Sequence, residues 1–95
     1  MGVARVVSFD GVDAARMAGM LDEMRASDGP PADVPAKGLV VLHDAEAQQA
    51  VVVLLFDSED DYARGDATLG AMPADETPGR RTSVAKYDVA FTMFQ

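Results

Sequence analysis

Residues 39–58 read LVVLHDAEAQQAVVVLLFDS, two apolar runs around a polar hinge. Successive side chains of a strand point to opposite faces. The first run therefore gives Leu39 and Val41 to one face and Val40 and Leu42 to the other. The second gives Val52, Leu54 and Phe56 to one face and Val51, Val53 and Leu55 to the other. Strands that are apolar on both faces are normally buried on both. Leaving three aliphatic side chains in water forgoes about 1.5–3 kcal/mol each. The chain has 95 residues with which to cover them, and a chain of that size buries only about 60–65 % of its unfolded surface.

The short link AEAQQ makes the two runs an antiparallel hairpin, with strand two over about 36–44 and strand three over about 50–57. An even-length loop sets His43 opposite Ala50. Leu39, Val41 and His43 then share a face with Val52, Leu54 and Phe56. Upstream, VARVVSF at 3–9 is β-branched and aromatic and reads as the first strand. Asp13 is placed to cap a helix over about 14–26, where Ala14, Met17, Ala18, Leu21 and Met24 recur at helical spacing. SDGPPADVP at 27–35 stops it, with Gly29 near the cap and Pro30-Pro31 barring further turns.

Ser58, followed by Asp60 and Asp61, starts a second helix that runs to about Met72. Tyr62, Leu69 and Met72 are its apolar contacts; Gly65 and Gly70 weaken it. PADETPGRR at 73–81 is a loop, and TSVAKYDVAFTMF at 82–94 a last strand. Ala85, Tyr87, Val89, Phe91 and Met93 alternate on one face of that strand, with Lys86, Asp88, Ala90 and Thr92 on the other.

The order βαββαβ predicts one α+β domain over 1–95, a ferredoxin-like plait with a four-stranded antiparallel sheet and two helices on one face. Two helices cover one face of such a sheet and leave the other. The economical cover is a second copy packed face to face about a two-fold axis. A homodimer with a barrel-like core is the expected partner arrangement, a dimeric α/β barrel.

The formal charge is −8, from 16 acids against 8 bases. That balance repels phosphate backbones and anionic lipid, so neither nucleic acid nor a membrane is an expected partner. The longest apolar run, Ala50 to Phe56, falls far short of the ~20 residues of a membrane helix. The first residues lack the pattern of a signal peptide, and a cytoplasmic protein is expected. Absence of cysteine excludes disulfides and thiolate chemistry. No metal or cofactor is expected: the acids at 57–61 read as a helix start, and SDGPPADVP lacks the Lys-Ser/Thr ending of a phosphate loop.

His43 is the sole histidine and lies beside Asp44, where a general base would be useful. One imidazole without a fixed partner equally well ends a strand. Arg5 interrupts an apolar strand, in alternation with Val7 and Phe9. It needs a carboxylate, for which Asp88 is a cross-strand candidate, or an anionic ligand. Tyr62 and Tyr87 have hydroxyls to orient a small molecule, with Phe9 and Phe91 as pocket walls. The same aromatic residues also fit plain core packing. Met17, Met20 and Met24 fit a helix stripe in the core.

Three stretches together, ARVVSFDG, the hairpin KGLVVLHD…VVVLLFDSEDDY and SVAKYDVAF, resemble the dimeric α/β-barrel superfamily of antibiotic-biosynthesis-monooxygenase-like proteins, over essentially the full length. The resemblance implies a small homodimer that binds an apolar or aromatic molecule between sheet and helices. Its alternative implication is a cofactor-independent monooxygenase or related small-molecule enzyme. His43 and Tyr87 are then the catalytic candidates, and Arg5, Phe9, Tyr62 and Phe91 the ligand-binding ones. The oxygenases of that group have an Asn and a Trp around their pocket, and this sequence has neither. Its haem-degrading members use a His on the second helix, and residues 58–72 contain none.

Overall fold

Strand β1 (Val3–Asp10) has a hydrogen-bonded neighbour on each side, which makes it central and explains why its residues are the most deeply buried. The computed structural model describes residues 2–26, 34–71 and 79–93. After β1 come helix α1 (Ala14–Ala26), strands β2 (Gly38–Asp44) and β3 (Gln49–Phe56), helix α2 (Glu59–Gly70) and strand β4 (Arg80–Asp88). All pairings are antiparallel and the strand order is β2-β3-β1-β4. This α+β arrangement is compatible with a ferredoxin-like plait.

The hairpin register follows the expectation from loop parity, with His43 opposite Ala50, Val41 opposite Val52 and Leu39 opposite Leu54. Both helix starts are capped as their sequences suggest. The Arg16 amide donates to Asp13 Oδ1 at 2.8 Å, and the Asp61 amide donates to Ser58 Oγ at 3.1 Å.

Three boundaries differ from expectation. Strand β2 starts at Gly38, and β4 runs from Arg80 to Asp88 rather than from 82 to 94. The Val89 amide still donates to the Gly2 carbonyl at 2.9 Å, but residues 89–93 do not continue the strand. Alternation alone does not make a strand; its backbone groups need partners. The expected features at Gly29, Pro30, Pro31 and Met72 lie outside the described residues.

Both helices pack on one face of the sheet. Met17, with Met20 and Leu21, packs on Val7, Phe9, Ala50, Val41 and Val52. Tyr62 and Leu69 pack with Leu54, Phe56 and Val34. Gly65 is the price of that second contact: a Cβ on it would lie 2.7 Å from the Phe56 ring. The glycine that weakens α2 as a helix is what lets it approach β3.

The opposite face is lined, row by row, by residues paired across all four strands. One row is Val40, Val53, Val6 and Ala85; a second is Leu42, Val51, Ser8 and Ser83; a third is Gly38, Leu55, Ala4 and Tyr87; a fourth, at the Asp10 end, is Asp44, Gln49, Asp10 and Arg80. Neither helix packs on these residues. Leu42 and Tyr87 are 53 % and 58 % exposed.

Gly65→Ala is expected to destabilise the fold by about 1–2 kcal/mol, because overpacking against Phe56 outweighs the gain in helix propensity. Gly19→Ala, where a Cβ meets nothing within 4 Å, is expected to stabilise by about 0.5–1 kcal/mol. Urea denaturation of the two variants checks the opposite signs.

Candidate functional site

An alternating strand places Arg5 between Val3 and Val7, so its side chain enters the layer between sheet and helices. It is 4 % exposed and is the buried charged residue among the described ones. Its Nε donates to Asp66 Oδ1 of α2 at 2.9 Å. The acid is therefore on the helix above, not at Asp88; the cross-strand neighbour of Arg5 is Lys86. Two cations side by side each need an anion, and α2 supplies both: Lys86 Nζ donates to Glu59 Oε2.

Glu59, Tyr62, Asp66 and Leu69 are spaced i, i+3, i+7 and i+10, one stripe of α2. Tyr62 thus sits between the two ion pairs. Phe56 meets it edge to face, with centroids 5.7 Å apart and planes at 75°. Lys86 Nζ lies 5.2 Å from the centroid of the same ring. Burial pushes the Tyr62 phenol above its ordinary pKa, and the Asp66 carboxylate adds to the rise; Arg5 and Lys86 oppose it. The hydrogen bond to Glu59 likewise holds Lys86 above its usual value.

Of the six residues singled out in the sequence, the fold brings Arg5 and Tyr62 together around Asp66. Phe9 belongs instead to the cluster under α1. Phe91 lies beyond β4 and is 78 % exposed. His43 and Tyr87 are on opposite faces: His43 is level with Ala50 and Phe9, Tyr87 with Ala4. His43 Nε2 is 2.8 Å from the Val12 carbonyl oxygen. A carbonyl only accepts, so that nitrogen carries the proton and donates. The imidazole ties the hairpin to the turn before α1, where the Val12 amide also donates to the Gln48 carbonyl.

A separate open depression of about 370 Å³ lies at the far end of β1, lined by Asp10, Gly11, Arg16, Gly79 and Arg80. Arg80 and Asp10 form an exposed ion pair across it at 3.4 Å. No group of three or more His, Cys, Asp or Glu side chains is placed to hold a metal ion among the described residues. No helix is long and apolar enough to cross a membrane among them.

Asp66 was not singled out from the sequence. Its signal is its position: an acid four residues after Tyr62 and three before Leu69, on the inward stripe of a helix that faces a strand with one inward arginine. Compared with known proteins, the chain matches no family model and no curated protein.

Asp66→Ala leaves the buried guanidinium without its carboxylate and is expected to cost about 2 kcal/mol, less than for a fully buried pair because the Asp66 side chain is 45 % exposed. Adding Arg5→Met should recover at least half of that loss in a double-mutant cycle read by urea denaturation. The raised phenol makes a second prediction. A group bound to its proton more tightly when folded contributes stability below its unfolded pKa of 10.0, lost as pH rises through the folded value. Stability above pH 10 should therefore fall more steeply in the wild type than in Tyr62→Phe, as measured by denaturant midpoint against pH.

Proposed function

We propose that the chain works as a homodimer, packed through the open sheet face, and binds a small aromatic molecule between sheet and helices beside Arg5, Asp66 and Tyr62. The observation behind the dimer is the composition of that face. Three of its four rows contain only Val, Leu, Ala, Gly, Ser and one Tyr, on a chain of net charge −8, and the charged row of Asp44, Gln49, Asp10 and Arg80 lies at one end. Asp10 and Asp44 stand at that end of the face, clear of its three uncharged rows. Self-repulsion, which such a net charge would otherwise impose, is thereby removed from the surface that meets its copy.

The ligand reading rests on the buried guanidinium. Burying a charge is costly, and an apolar residue at position 5 would pack the layer at less cost. Arg5 has five N–H donors, and the Nε–H that meets Asp66 is one of them. An aromatic molecule with a carboxylate or phenolate suits such a fork, and Tyr62 offers a neighbouring ring and hydroxyl. This is a binding function of the kind expected of the dimeric α/β-barrel proteins the sequence resembles.

Two measurements test the reading. Light scattering should give twice the monomer mass of 10.0 kDa, and Val53→Asp, at the centre of the open face, should give the monomer. A wild-type monomer at high micromolar concentration refutes the dimer. Salicylate and 1-naphthoate should raise the melting temperature of the wild type by several degrees and of Arg5→Met by much less. Equal shifts in both proteins, or none in either, refute the Arg5 site.

A further inference from the structure

We infer that the depression at the Asp10 end of β1 binds a small hydroxylated phosphate monoester, with Arg16 and Arg80 on the phosphoryl group and Asp10 on a ligand hydroxyl. The site is apart from Arg5 and requires neither the dimer nor an aromatic ligand.

Three local departures from regular structure assemble it. Gly11, at φ +70°, turns the chain from β1 towards α1, whose first turn contains Arg16. Gly79 lies so close to that turn that a Cβ on it would overlap the Asp10 carbonyl oxygen and stand 2.9 Å from Val12 Cγ2. The pairing of β1 with β4 shifts register between Ser8 and Phe9, so that Ser83 faces Ser8 but Arg81 faces Phe9. Thr82 is the extra residue, and its hydroxyl donates to the Ser8 carbonyl at 3.2 Å. A bulge of this kind re-aims the side chains beyond it. Here it sets Arg80 opposite Asp10, where an unshifted register would put Arg81.

The lining selects the chemistry of the ligand. Among the described residues it consists of Arg16, Arg80, Asp10, Gly11 and Gly79, around about 370 Å³. That is room for a small metabolite, and the walls offer it no aromatic or branched aliphatic side chain. The Arg16 guanidinium has no ion-pair partner among the described residues. Arg80 Nη2 reaches Asp10 Oδ2 at 3.4 Å, and Gln49 Nε2 reaches Oδ1 at 3.3 Å. Both contacts are long for bonds to a carboxylate. The two guanidiniums thus keep N–H donors and Asp10 keeps acceptor sites. The other acid beside Arg16, Asp13, is engaged as the cap of α1. Two cations against one lining acid call for an anion, and a phosphoryl group brings three acceptor oxygens suited to planar guanidinium forks. Asp10 disfavours a bare anion but accepts from a hydroxyl, so the ligand that fits carries both groups.

Titration of the isotope-labelled chain with α-glycerophosphate at fixed ionic strength, followed by two-dimensional NMR, should shift the amides of Gly11, Arg16, Gly79 and Arg80 along one saturating curve. Inorganic phosphate and glycerol should each bind at least about tenfold more weakly. Arg16→Gln and Arg80→Gln should each weaken α-glycerophosphate binding about tenfold or more, with unchanged circular dichroism because both side chains are exposed. Asp10→Asn should remove the preference for α-glycerophosphate over inorganic phosphate without weakening the latter. Shifts that do not saturate, or that saturate at other residues, overturn the inference. So does an affinity unchanged in either arginine variant, an equal affinity for α-glycerophosphate and inorganic phosphate in the wild type, or a preference that survives Asp10→Asn.

Discussion

Alternation along a strand is the constraint from which the rest of this structure follows. It splits Val51–Phe56 into two apolar sets that no single covering layer can shield. The helices take one set: Leu54 and Phe56 disappear under α2, and Val52 packs with α1's neighbours. The other set, Val51, Val53 and Leu55, lines up with Val40, Leu42, Val6 and Ala85 across the remaining strands. Hydrophobic patches of that extent on small proteins commonly mark contact surfaces.

The helix-side layer is not uniformly apolar, and its polar part is organised by one helix. Arg5 and Lys86 are cross-strand neighbours of like charge, an arrangement that is unfavourable alone. α2 resolves it with acids seven residues apart, Glu59 and Asp66, and places Tyr62 between them. The same helix approaches closely enough to do so because Gly65 has no side chain against Phe56. Packing and electrostatics on this side are thus one arrangement, and the Arg5 environment depends on a glycine distant from it in character.

Much of the fold was legible in the sequence because its signals are local. Loop parity fixed His43 opposite Ala50, and Ser58 ahead of Asp60 and Asp61 marked the start of α2. What escaped is non-local. Val34 is 2 % exposed although it lies in the Pro-rich segment read only as the stop of the first helix, because it packs with residues of α2 and β3. Strand β4 stops at Asp88, whereas its alternation continues to Met93; pairing, not pattern, sets its end. Arg5 was identifiable as an oddity, but its partner Asp66 is 61 positions away and is found only once α2 is laid over β1. His43 and Tyr87 show the converse. Each has the chemistry of a catalytic group, and the sheet itself stands between them.

The bond from His43 to Val12 joins positions 31 apart in the chain. Nε2 donates to the Val12 carbonyl, and the Val12 amide donates in turn to the Gln48 carbonyl in the hairpin turn. Two links of opposite direction thus fasten one residue to both ends of the β2–β3 turn, so the entry to α1 and the tip of the hairpin hold or open together.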